Sequence, residues 1–245
     1  MTAQSEVYIA GVRSGILVTP SLANRISEQW FDPRYWGDNA RPVAEGGRGG
    51  AWFVESEHGP MVLREYRRGG LVASLSEQNY IYAGESSVRS FAEYRLTAQL
   101  ASLGLPVPAP AAAYYRRISP LTYQARILVE RLTGVCALAE HPGAEKSSLW
   151  VRTGEVIRQF HDAGLDHVDL NCHNILVDDG RVYLIDFDRC RLHPSAQGGG
   201  RWRMANLERL KRSCAKLFGF WSVEGDRLWQ AFLTGYEGGS GASTR

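Results

Sequence analysis

The chain lacks most of the features that would set it apart from an ordinary globular protein. Its four cysteines, Cys136, Cys172, Cys190 and Cys214, form no CxxC pair and show no metal-ligand spacing. That argues against a disulfide scaffold or a thiolate metal site, and reads as the reduced thiols of a cytosolic protein. No apolar run approaches the ~20 residues needed to span a bilayer. No signal-peptide core is visible either, because Glu6 sits early and the apolar run Gly15–Val18 is too short. The expectation is a soluble or peripheral protein. There is no internal repeat. Net charge is only +2, too little to imply a nucleic-acid partner.

What is present fits one domain. The 245 residues are 44% hydrophobic and 22% charged, enough for a sizeable core and too short for two comfortable domains. Charge is unevenly placed. From Arg189 to Lys216 there are eight Arg or Lys and one acid, Glu208. Such a run is a solvated helix face or a surface for an anionic substrate or membrane.

Residues 1–40 give no clear pattern beyond an aromatic cluster, Trp30-Phe31-Asp32-Pro33-Arg34-Tyr35-Trp36. This cluster either packs on the surrounding β structure or sits at a membrane interface. A glycine-rich turn, Gly46–Gly50, precedes two predicted strands, Ala51–Glu55 and Pro60–Tyr66, and Gly69-Gly70 follows them. The spacing of Phe91, Leu96, Leu100 and Leu103 predicts a helix over 88–103, stopped by Gly104. Beyond the proline-rich stretch 106–110, strands are predicted at Ala111–Arg116 and Tyr123–Arg131, with a hinge near Gly134. Helices are expected at Leu149–Ala163 and Arg203–Phe218. In the latter, Met204, Leu207, Leu210, Cys214 and Leu217 form one apolar stripe. The tail from Gly238 reads as disordered.

The chemistry is concentrated in His167-Val168-Asp169-Leu170-Asn171-Cys172-His173-Asn174-Ile175-Leu176-Val177 and in Val182-Tyr183-Leu184-Ile185-Asp186-Phe187-Asp188. These segments resemble the catalytic loop and the metal-binding DFG of the protein-kinase superfamily. Phosphoryl transfer depends mainly on positioning and charge neutralisation. Mg²⁺ takes oxygen ligands and bridges phosphates, which suits the Asp186 carboxylate and the Asn174 amide. Asp169 would orient the acceptor hydroxyl and take its proton. Strands at Ile175–Val177 and Val182–Ile185, turning at Asp179-Gly180, would bring Asn174 and Asp186 to one end of a hairpin. His161 is expected to pack at a helix end, and His167 to fill the structural histidine place of the loop. His173 is either a turn residue or a substrate contact.

The N-terminal half holds the corresponding ATP-binding candidates. Gly47-x-Gly49-Gly50-x-Trp52-x-Val54 resembles the kinase glycine loop, with Trp52 at the usual third glycine. Glycines there let backbone N–H groups approach phosphates. Strand alternation puts Val62 and Arg64 on one face. Val62 would roof an adenine and Arg64 reach the phosphates, with arginine standing where most kinases have lysine. Glu93 is the expected helical partner of Arg64. Glu130-Arg131-Leu132 would lie at the hinge, where backbone groups hold the adenine.

Four segments resemble the lipopolysaccharide kinase family within the kinase-like fold: residues 31–36, 47–53, 62–70 and 167–171. The resemblance extends over about residues 30–220. It implies an α+β, protein-kinase-like two-lobed fold in a single domain. The mostly β N-lobe would cover about 1–133, the mostly α C-lobe about 134–237, and a disordered tail 238–245. It also implies transfer of the ATP γ-phosphate, with Mg²⁺, to a hydroxyl of a 3-deoxy-D-manno-octulosonic acid (Kdo) sugar on a lipid A precursor. The 4-OH is the expected acceptor, and the place is the cytoplasmic face of a bacterial inner membrane. Arg67, Arg68 and the basic run would suit an acceptor bearing carboxylate and phosphates.

Three other readings stand beside this one. A phosphotransferase of the aminoglycoside or choline type would need an acidic acceptor pocket, which the basic run opposes. A protein kinase would need a peptide platform, and no APE follows Asp188. A pseudokinase scaffold is suggested only by Arg64, and the presence of Asp169, Asn174 and Asp186 together opposes it.

Overall fold

Alternation of buried and half-exposed residues along the strands organises the first half of the chain. The computed structural model describes residues 6–43, 50–66, 79–178, 180–194, 200–218 and 223–238. Residues Gly47, Gly49, Arg67, Arg68, Gly69, Gly70 and Asp179, together with the tail after Gly238, lie outside them. The chain divides into two compact units, Met1–Ser102 with Pro108–Arg131, and Leu103–Val107 with Leu132–Arg245.

The first unit is built on an antiparallel sheet. Its strands are β1 (Val7–Ala10), β2 (Ser14–Val18), β3 (Ala40–Pro42), β4 (Ala51–Ser56), β5 (Gly59–Glu65), β6 (Tyr80–Ile81), β7 (Pro110–Arg117) and β8 (Thr122–Glu130). They run in the order β1-β2-β7-β8-β5-β4-β3, with β6 on β8. The β1–β2 hairpin falls in the stretch where the sequence shows no pattern. Its strand β2 is buried along its whole length, so it shows no alternation between apolar and polar residues.

Each face of the sheet has its own cover. On one, Ile16, Val18, Met61, Leu63, Ala112, Tyr114 and Leu128 pack with Trp30 and Phe31. On the other, Leu17, Ala113, Tyr115, Ala125 and Ile127 pack with Phe91 and Tyr94 of helix α1 (Arg89–Ser102). The aromatic cluster therefore packs on the sheet: Trp30 and Phe31 are buried, and the Trp36 indole N–H donates to the Trp30 carbonyl at 2.8 Å. Helix α1 ends one residue before the predicted Leu103, which is exposed. Gly104 follows at φ +74, a conformation that ends helices at little cost.

The second unit is mostly helical. It contains α2 (Ser147–Asp162), α3 (Arg201–Phe218) and α4 (Val223–Gly238), and short strands β9 (Cys136–Ala137), β10 (Leu165–Asp166), β11 (Ile175–Val177), β12 (Val182–Leu184) and β13 (Arg191–Leu192). Helices α2 and α4 pack at glycines. A Cβ on Gly154 would lie 2.1 Å from the Phe232 carbonyl oxygen, and one on Gly235 1.9 Å from that of Val151. Helix α4 has no counterpart among the predicted elements, because its glycines interrupt the apolar pattern. In α3 the stripe is narrower than expected. Leu207, Leu210 and Cys214 are buried, whereas Met204 and Leu217 at its ends are exposed. Among the described residues no helix is long and apolar enough to cross a membrane.

Candidate active site

In the second unit the site grows from a hairpin. Strands β11 and β12 pair with Ile175 opposite Leu184 and Val177 opposite Val182, and all four side chains are buried. Asn174 immediately precedes β11, and Asp186 lies two residues after β12. Between them, Ile185 is held at both of its polar groups. Its N–H donates to the Asn174 carbonyl at 3.1 Å, and its carbonyl accepts from His167 Nε2 at 3.0 Å. A carbonyl can only accept, so Nε2 carries the ring proton. Burial pushes the His167 pKa down, which keeps the imidazole neutral.

This clamp fixes the residue before Asp186, whose own backbone is strained. Asp186 sits at φ +65, the left-handed region that costs a non-glycine residue roughly 1–2 kcal/mol. Such strain collects at functional sites.

The loop from Asp169 to Asn174 is tied by its own amides. Asn174 Nδ2 donates to the Asp169 carbonyl at 2.9 Å and Asn171 Nδ2 to the same oxygen at 3.0 Å. Asn171 Oδ1 accepts from the N–H groups of His173 and Asn174. His173 is thus an exposed turn residue. With its Nδ2 committed, Asn174 has Oδ1 as its ligand-competent atom. The Asp169 side chain is exposed while its main chain is fixed. One carboxylate and one amide oxygen are hard donors of the kind that would suit Mg²⁺.

Residues not singled out from the sequence anchor this loop to α3. Buried Asn206 accepts the His167 main-chain N–H at 2.9 Å and donates to Asp166 Oδ1 at 3.0 Å. Ser213 Oγ accepts the Cys172 N–H at 3.2 Å. The available signal was a polar residue at the i, i+4, i+8 spacing of Asn206, Leu210 and Cys214. Nothing in the sequence hints that Cys172 and Cys214, far apart in the chain, bring their sulfurs to 3.2 Å in the core.

In the first unit, Arg64 Nη2 forms an ion pair with Glu93 Oε1, and the Tyr66 hydroxyl donates to Glu93 Oε2. Glu93 is buried and Arg64 partly exposed, so this is not a solvated surface pair. The Arg64 guanidinium also lies 5.4 Å from the Tyr66 ring centroid. Val62 and Arg64 share the half-buried face of β5, alternating with buried Met61, Leu63 and Glu65.

Val54 requires a correction. It pairs with Met61 and is fully buried with Trp30 and Phe31, on the sheet face opposite Val62 and Arg64. Phe53, paired with Val62, occupies the face on which Val54 was expected. Gly50 is described, and its carbonyl accepts the Glu65 N–H at 2.6 Å. At the expected hinge, the Glu130 side chain is exposed. The Glu130 N–H already donates to the Ala109 carbonyl and the Arg131 N–H to that of Pro60, which removes both as adenine donors.

The chain superposes on solved structures of the same fold. Over 92% of both chains it matches an aminoglycoside-3'-phosphotransferase of type VIII with a TM-score of 0.54 and 15% identity. A structure of WaaP in complex with acyl carrier protein matches with a TM-score of 0.50 and 17% identity, over 85% of this chain and 87% of the other. The fold is α+β and protein-kinase-like. The profile of the lipopolysaccharide kinase (Kdo/WaaP) family matches residues 33–236, and the chain belongs to that family. It is 53% identical over 191 residues to the 3-deoxy-D-manno-octulosonic acid kinase of Xanthomonas campestris pv. campestris (strain B100), covering 77% of this chain and 75% of the relative. It is also 51% identical over 196 residues to the enzyme of the same name from Stenotrophomonas maltophilia (strain K279a), covering 79% and 77%.

Proposed function

We propose that the protein is a Kdo kinase of lipopolysaccharide core assembly, transferring the γ-phosphate of ATP to a Kdo hydroxyl, the 4-OH, on a lipid A precursor. The observation that carries this reading is identity above one half to curated Kdo kinases over a stretch that includes the Asp169–Asp186 segment.

In this reading the Asp169 carboxylate, exposed on a fixed backbone, orients the acceptor hydroxyl and receives its proton. Mg²⁺ supplies neutralisation of phosphate charge, and its protein donors are Asn174 Oδ1 and the Asp186 carboxylate. His167 and Asn206 are positioning residues that act through Ile185 and the loop backbone. In the first unit Arg64, held by Glu93, engages phosphate oxygens, Val62 packs on the adenine, and the glycines at 47, 49 and 50 approach the phosphates.

The acceptor's carboxylate and phosphates suit the exposed Arg209, Lys211, Arg212 and Lys216 of α3, which also suit peripheral contact with anionic lipid at the inner membrane. The test of acceptor and position is phosphorus-coupled NMR of the product formed from Mg·ATP and a Kdo–lipid A precursor. Phosphate on the 4-oxygen of Kdo supports the reading. Phosphate elsewhere on the sugar, or none with nucleotide bound, refutes it.

A further inference from the structure

The Trp30–Trp36 segment has a second side that phosphoryl transfer does not use. Trp30, Phe31 and Trp36 turn into the core, while Asp32, Arg34 and Tyr35 line a cavity of about 1070 Å³ in the first unit. Its other walls include Arg13 and Ser14 at the start of β2, Tyr114 and Arg116 on β7, and Gln124 and Arg126 on β8. Ser14, Tyr114 and Arg126 belong to the sheet face of Leu63 and Leu128, opposite that of Val62 and Arg64. The cavity is therefore not the nucleotide site.

Its charge is biased. Among the described residues Arg13, Arg34, Arg116 and Arg126 line it. Arg34 is neutralised by Asp32 and Arg126 by buried Glu65. That leaves Arg13 and Arg116 beside the Glu28 carboxylate, which is occupied in accepting hydrogen bonds from the Ser14 and Tyr114 hydroxyls. Arg117 turns to the other sheet face, where it donates to the Pro120 carbonyl at 2.9 Å and lies over the Tyr82 ring. Cationic forks with amide and phenol groups around them are what an anionic, hydroxyl-bearing ligand requires.

We propose that this cavity binds a ligand carrying phosphate or carboxylate groups on a hydroxyl-rich body, through Arg13 and Arg116. It is a site separate from the nucleotide site, and the aromatic segment 30–36 is its floor as well as part of the core. A glycerophospholipid head group at a membrane and a soluble sugar phosphate both have this chemistry.

The test uses the full chain and the double variant Arg13→Ala/Arg116→Ala. Both side chains are exposed, so the fold should tolerate the change, and Mg·ADP binding and the melting temperature verify it. Co-sedimentation is measured with phosphatidylcholine vesicles with and without phosphatidylglycerol, and glucose 1-phosphate is titrated calorimetrically. Removing each charge-assisted hydrogen bond weakens binding by about tenfold or more. Retention on anionic vesicles alone, abolished in the variant, supports the site with a lipid head group as source. Saturable sugar-phosphate binding, abolished in the variant, supports it with a soluble source. If the wild type binds neither probe, or the variant binds as tightly as the wild type, the proposal is wrong. Mg·ADP binding reports the nucleotide site independently, so failure of the phosphotransfer reading leaves a different trace.

Discussion

Asn206 offers the sharpest test of how the loop from His167 to Asn174 is held. Replacing it with leucine removes a buried acceptor and a buried donor at similar volume. The His167 N–H then has no partner, and Asp166 loses its 3.0 Å donor. Asp166 keeps His193 at 3.7 Å and Arg191 at 3.9 Å, so its loss is at the low end. An unsatisfied buried group costs about 1–3 kcal/mol, and the two together should cost about 2–4 kcal/mol. Against a typical stability of about 5–15 kcal/mol, the variant still folds. The loop is the larger casualty, because a misplacement of about 1 Å can cost on the order of a hundredfold in turnover. Asn206→Asp keeps the acceptor but sets a second carboxylate against Asp166. Two such groups hold one proton more tightly when folded, so this variant loses stability near pH 7 and regains it as pH falls. Urea unfolding and steady-state kinetics measure both. Asn206→Leu should lower kcat with little change in the KM for ATP. A variant as stable and as active as the wild type would refute the anchoring role.

Three further outcomes are expected. Asp186→Asn should abolish the Mg²⁺ dependence of ADP binding by calorimetry without lowering the melting temperature, since asparagine tolerates φ +65 well; unchanged Mg²⁺ dependence would remove Asp186 from the metal site. Gly235→Ala drives a Cβ into the Val151 carbonyl, and overpacking of about 1–3 kcal/mol should exceed the ~0.5–1 kcal/mol gained in helix propensity; a stabilised variant would show that α2 and α4 separate freely. Burial, aided by the charge of Arg203, lowers His161 to a pKa of about 4. The unfolded chain therefore binds this proton first. Stability is fully present above about pH 6.5 and is lost as pH falls towards 4, by roughly 3 kcal/mol; His161→Asn should flatten that part of the urea-unfolding profile, and an unchanged slope would assign it elsewhere.

The proposed reaction centre was more legible than its supports. Asp169, Asn174 and Asp186 sit in a short continuous segment whose apolar residues also form the hairpin, so motif and local structure coincide. The Arg64–Glu93 contact was reachable because strand alternation and helix periodicity each fix a face. Val54 was misplaced because a motif spacing was carried across a turn, while pairing register, which depends on the partner strand, decides the face. Strand β2 was hidden by burial on both sides, and α4 by glycines needed for close helix packing. Asn206 and Ser213 act over some 40 residues of sequence, and a single polar residue on a helix face does not name its partner.

In the proposed reaction a Kdo-bearing lipid receives the phosphoryl group, with Asp169 as the base. The direct measurement is transfer of labelled γ-phosphate from Mg·ATP to a purified Kdo–lipid A precursor, with Asp169→Ala run beside the wild type. The prediction is labelled lipid with the wild type and none with the variant, while both bind Mg·ADP equally. Labelling that persists in Asp169→Ala would contradict the assigned role, and a wild type that binds nucleotide but never labels the lipid would contradict the assigned activity.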